Sequence, residues 1–106
     1  MRILFDQGTP APLRRALSSH EISTVFELGW STFANGDLLA AAERDFELLI
    51  TTDQQIRNQQ NLAVRRLAIL VLPTTSWPRI QRHVHEIERE IAAIKPGEYR
   101  ELEWRD

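Results

Sequence analysis

The sequence predicts an α/β three-layer sandwich around a mostly parallel sheet of about five strands. Three observations predict it. Short apolar, β-branched runs alternate with segments whose apolar residues recur every three or four positions. The run Leu67 to Leu72 (LAILVL) is continuously apolar, as expected where both faces of a parallel sheet are covered. The joints between runs carry turn and cap residues: TPAP, NGD, PTTS and KPG.

Taken in order, Arg2 to Phe5 (RILF) is too short for a core helix and reads as the first strand, ended by Asp6. Thr9-Pro10-Ala11-Pro12 supplies a cap and a proline tolerated in a first helical turn. Leu13, Ala16 and Leu17 give that helix its apolar face, and it ends near Ser18-Ser19-His20. Ile22 to Phe26 (ISTVF) is the second strand, followed by a turn over Glu27 to Ser31. Asn35-Gly36-Asp37 opens a second helix that turns Leu38, Leu39, Ala42 and Phe46 inward. Glu47 to Thr51 (ELLIT) is the third strand, with Asp53 just beyond it, and Leu67 to Leu72 is the fourth. Pro73 to Ser76 then caps one long helix whose stripe is Trp77, Ile80, Val84, Ile87, Ile91 and Ile94. Lys95-Pro96-Gly97 stops it. Tyr99 to Trp104 alternates apolar and charged residues like an edge strand, and that edge, with Trp104, raises the expectation of a homodimer.

The 106 residues suffice for one domain spanning 1–106 with its own core. There is no cysteine, which excludes disulfides and thiolate metal sites and fits a reducing cytoplasm. The start, Met1-Arg2 and three apolar residues, predicts no secretory leader, and no run approaches the roughly eighteen apolar residues of a membrane span. A net charge of -2 argues against nucleic-acid binding through overall positive charge, although an acidic metal site beside local arginines stays open. Of the thirteen basic residues only Lys95 is lysine. This suits bidentate phosphate recognition, although a GC-rich coding sequence accounts for it slightly better.

In an open α/β sheet, ligands bind outside the carboxyl ends of the strands. Two strands end in aspartate there, Asp6 and Asp53; Asp37 starts a helix whose preceding loop returns to the same edge, and Glu27 is a further candidate. Gathered carboxylates repel one another unless a cation or proton relieves them. Ligands that are all oxygen suit Mg²⁺ or Mn²⁺, and two such ions ~4 Å apart activate water for phosphodiester cleavage. The plainer role for Asp37 or Asp53 is a helix cap.

FDQGTP (Phe5 to Pro10), ELGWS (Glu27 to Ser31), NGDLL (Asn35 to Leu39) and ITTDQQIRNQQNL (Ile50 to Leu62) together resemble the small bacterial PIN-like domains. These are compact relatives of PIN-domain ribonucleases, many of them toxins of toxin–antitoxin pairs. The resemblance covers about residues 1–72, with the last helix and strand in outline. It implies a metal-dependent endoribonuclease with an RNA substrate and a cognate antitoxin protein. By motif, Asp6, Asp37 and Asp53 match the family's catalytic, metal-holding acids, with Glu27 as a supplement. Where many relatives read aspartate-glutamate after the first strand, this chain has Gln7, whose amide oxygen ligates without charge.

The polar segment after Asp53 supplies Gln54 and Arg57, with Gln55, Asn58, Gln59, Gln60 and Asn61, suited to phosphate oxygens or the base edges of single-stranded RNA. Gln7, Asn35 and Thr52 complete the substrate-binding candidates. Trp30 suits base stacking or an apolar plug. His83 and His85, two apart on a helix, do not form a helical metal pair, and Arg65-Arg66 lies at the wrong strand end. Two other functions compete: a silenced binding module, given Gln7, and a receiver-like phosphoacceptor, for which Asp53 and Thr74 or Thr75 are placed but Lys95 precedes the last strand.

Overall fold

A computed structural model describes residues 1–56 and 66–105. The strands are β1 (Arg2–Phe5), β2 (Glu21–Thr24), β3 (Leu48–Thr51), β4 (Ala68–Val71) and β5 (Tyr99–Glu101). The helices are α1 (Leu13–Ala16), α2 (Asn35–Asp45), α3 (Trp77–Gln81) and α4 (Val84–Ala93). The strands form one five-stranded sheet in the order β2-β1-β3-β4-β5, with every pairing parallel. The expected α/β sandwich is therefore present, and the sheet is parallel throughout.

Alternate strand residues sort the core into two halves. Ile3, Phe5, Leu48, Ile50, Ala68 and Leu70 pack with Leu13, Leu17, Ile80, Ile87 and Ile91, so α1, α3 and α4 cover one face. Leu4, Leu49, Ile69 and Val71 pack with Leu38, Leu39, Ala42 and Phe46, so α2 lies on the other. All of these side chains are buried. Burial on both faces is why β3 and β4 read as unbroken apolar runs.

Several boundaries differ from expectation, and the last strand, expected over Tyr99 to Trp104, stops at Glu101. The first helix is a single turn whose N-cap is Pro12, without a side-chain cap. Thr9, expected to cap it, instead donates its hydroxyl to the Ile50 carbonyl at 3.1 Å and ties the β1–α1 loop to β3. The expected long helix is two helices. At the joint the Arg82 and His83 amides reach back only three residues, to Arg79 and Ile80, which tightens the turn. His83 there stacks on Trp104, ring centroids 4.2 Å apart, so the end of the chain packs onto its own helices. The second strand stops at Thr24, leaving Phe26 81% exposed.

Candidate functional site

Parallel pairing brings every strand's carboxyl end to one edge of the sheet. β1 sits between β2 and β3, and the chain leaves it toward α1 on one face. The chain leaving β3 sends Ile56 into the core of the other face. The carboxyl ends of β1 and β3 thus flank a point where connections part to opposite sides, the place where open α/β sheets bind ligands.

Register and pleat decide which side chains meet there. Phe5 pairs with Ile50, and the Asp6 amide donates to the Ile50 carbonyl at 3.0 Å, which sets Asp6 level with Thr51. Counting by twos along each strand, Leu4 and Asp6 share the α2 face with Leu49, Thr51 and Asp53. A cavity of about 230 Å³ opens on that side, with Asp6, Gln7, Asn35 and Asp53 as polar walls and Trp30, Phe33 and Leu38 among its apolar ones.

The acids are held by a small hydrogen-bond network. Thr51, buried completely, donates its hydroxyl to Asp6 Oδ2 at 2.8 Å and accepts the Asp53 amide at 3.1 Å. Asp6 Oδ1 also accepts the Gln7 amide at 2.8 Å. Asn35 Nδ2 donates to Asp53 Oδ2 at 3.2 Å, and Asp53 Oδ1 accepts the Gln55 amide at 2.9 Å. Asp53 thus caps the turn that follows it while also facing the cavity. Burial pushes the Asp6 carboxyl above its ordinary value; the Thr51 hydroxyl and the Gln7 amide pull it back, and the charge of Asp53 raises it again.

Of the three acids expected together, with Glu27 as a further candidate, Asp6 and Asp53 line the cavity. Asp37 stands exposed in the first turn of α2 and is absent from the lining; Asn35, two residues earlier, takes that side. Glu27 does not join them: it accepts both the Arg14 guanidinium, at 2.9 Å, and the Thr24 amide, at 2.9 Å. The ion pair with Arg14 holds Glu27 below the usual glutamate value. The strand ends before Phe26, so Glu27 folds back over its end. Among the described residues no three His, Cys, Asp or Glu side chains form a metal-holding group. The donors present are hard oxygens, two carboxylates with the amides of Gln7 and Asn35 beside them. They suit an ion such as Mg²⁺, which commonly takes one or two carboxylates and fills its shell with water and phosphate.

Gln54 donates to the Leu72 carbonyl at 2.7 Å, which joins the loops after β3 and β4. Thr52, on the opposite face from Thr51, lies against the β1–α1 loop: a Cβ added to Gly8 would stand 2.7 Å from its hydroxyl oxygen. Arg57, Asn58, Gln59, Gln60, Asn61 and Arg65 lie outside the described residues. Lys95 lines a separate cavity of about 430 Å³ at the opposite edge, with Met1, Glu43 and Arg66. Sequence reasoning missed Thr51 and Phe33. The period of two in LLITTD would have found Thr51, since Leu49, Thr51 and Asp53 fall on one face. No periodic signal marks Phe33.

Compared with protein-family models, curated proteins and solved structures, the chain matches none.

Proposed function

We propose that this chain is a divalent-metal-dependent endoribonuclease acting at the β1–β3 edge. One observation carries the reading: two carboxylates from different strands face one cavity, and both burial and the charge of Asp53 oppose ionisation of Asp6. A cation relieves that opposition. Asp6 and Asp53 would hold it, with the amide oxygens of Gln7 and Asn35 within the same cavity. When bound, Mg²⁺ or Mn²⁺ supplies charge against a phosphodiester oxygen and lowers the pKa of water. The chain's own work is positional. Thr51 fixes the direction of the Asp6 carboxylate through its hydroxyl, and Asn35 does the same for Asp53. The proposal includes the toxin role that the PIN-like resemblance implies, with a cognate antitoxin protein as partner.

Purified protein incubated with single-stranded RNA and Mn²⁺ should cleave it. Chelator, Asp6→Asn and Asp53→Asn should each abolish cleavage, and equal cleavage by wild type and both variants would sink the mechanism.

A second reading, a binding module without turnover, draws on the neutral Gln7 and on the presence of two carboxylates at the cavity in place of the expected three. RNA binding that survives chelator, with no cleavage under any divalent ion, separates it from the first.

A further inference from the structure

The cavity that holds Asp6 and Asp53 has a second, aromatic wall. Trp30 and Phe33 stack at 5.7 Å between centroids and 13° between planes. Trp30 is itself fixed from behind, edge-on to Phe46 at 6.3 Å and 90°, and its amide donates to the Val25 carbonyl at 3.0 Å. Phe33, the outer ring of the pair, is 40% exposed although it lines a mainly polar cavity. We propose that Phe33, backed by Trp30, is a stacking platform for one unpaired nucleobase of a strand whose phosphate lies toward Asp6 and Asp53. The inference rests on that part of the functional reading which brings single-stranded RNA to this edge.

Three physical points favour a base as the occupant. A flat ring held parallel to a second ring offers a rigid π face, which any base can cover without distortion. The amides of Gln7 and Asn35 share the cavity, and amides pair with the donor and acceptor edges of a splayed base. The net charge of -2 leaves little general attraction for phosphate, so stacking has to carry more of the affinity than in a basic protein. Phe26, in the same loop and still more exposed, is absent from the cavity lining and serves as the control.

The test is fluorescence anisotropy with labelled oligoadenylate about eight nucleotides long, within the site sizes of single-strand binders, and with an abasic ribose-phosphate strand of equal length. Each is measured in Ca²⁺ buffer and in chelator. Wild type should bind oligoadenylate more tightly than the abasic strand. Phe33→Ala should weaken oligoadenylate binding roughly 5- to 150-fold, the range for one lost base stack, and leave abasic binding unchanged. Phe33→Leu, which keeps apolar cover over Trp30, should lose as much as Phe33→Ala. Phe33→Trp and Phe26→Ala should bind like wild type. Equal affinity of wild type for both strands, equal loss on both strands, or no binding in either buffer overturns the platform. Mn²⁺-dependent cleavage of RNA by the same proteins keeps the two readings apart. Base-dependent binding without cleavage leaves the platform standing and removes the nuclease. Cleavage with oligoadenylate affinity unchanged in Phe33→Ala does the reverse.

Discussion

At the scale of single residues, Thr51 is the side chain on which the candidate site turns. Its hydroxyl donates to a half-buried carboxylate and accepts the amide of the other acid's residue, so both aspartates are referenced to one buried atom. Thr51→Val keeps the shape and removes both bonds. It should destabilise the protein by about 1–3 kcal/mol, the cost of leaving buried polar groups unsatisfied, read as a lower urea midpoint with unchanged slope. It should also raise the Asp6 pKa further, because the Thr51 hydroxyl favours the ionised form; an NMR titration of the Asp6 carboxyl checks this. If Asp6 and Asp53 hold a divalent ion, Thr51→Val should lower Mn²⁺ affinity about 10- to 100-fold, as loss of an outer hydrogen bond to a ligand does. Asp6 itself has the opposite pH signature from a salt-bridged acid. Its pKa is raised on folding, so below the ordinary aspartate value it costs nothing. The cost grows as pH rises from that value through the folded one. Metal-free Asp6→Asn should therefore be as stable as wild type or more so at neutral pH. Added Mn²⁺ should raise the melting temperature of wild type and leave that of Asp6→Asn unchanged.

At the scale of elements, the β1–α1 loop is packed against the loop after β3 with no room to spare. Gly8 has φ +88°, and a Cβ there would meet Thr52 Oγ1 at 2.7 Å. Gly29, in the β2–α2 turn, has φ +74° with nothing within 4 Å of an added Cβ. Both substitutions to alanine carry the left-handed backbone cost of about 1–2 kcal/mol, and Gly8→Ala adds displacement of Thr52. Chemical denaturation should rank Gly8→Ala as clearly the more damaging, and equal losses would mean that Thr52 moves aside freely. The elements also separate what is legible in sequence from what is not. Strand positions were readable because burial on both faces leaves unbroken apolar runs, and the inward faces of α2 and α4 followed from their 3.6-residue period. The break at Arg82-His83 was not readable, because the apolar stripe continues through it and the stacking partner, Trp104, is about twenty residues away in the chain.

Across the whole molecule, the two edges of the parallel sheet carry different groups of charges. Asp6 and Asp53 stand at the carboxyl edge, while Lys95, Arg66, Glu43 and Glu47 border the cavity at the other. Ion pairs on the surface shape the acid response. Arg14 holds Glu27, and Arg100 holds Glu98, below their ordinary values. Each pair adds stability that is present above the usual glutamate pKa and lost as pH falls through the lowered one. Glu27 is exposed and Glu98 half-exposed, so the contribution is small and salt-sensitive. Glu27→Gln and Glu98→Gln should each flatten the acid side of the melting-temperature profile at low salt, and the difference should fade in high salt. Among the described residues no helix is long and apolar enough to cross a membrane.

By itself, the sequence determined the α/β class, the five strands, the two-sided burial of β3 and β4, and the aspartates at the ends of β1 and β3. These are local properties: periodicity, run length and the residue at which an apolar run stops. The tertiary structure alone decided which acids meet. Strand order places β1 beside β3, and register and pleat turn Asp6, Thr51 and Asp53 to the α2 face. The start of α2 presents Asn35 to Asp53, and the early end of β2 gives Glu27 to Arg14. Which side chains converge depends on pairings between residues 13 to 45 positions apart, and no local pattern encodes those.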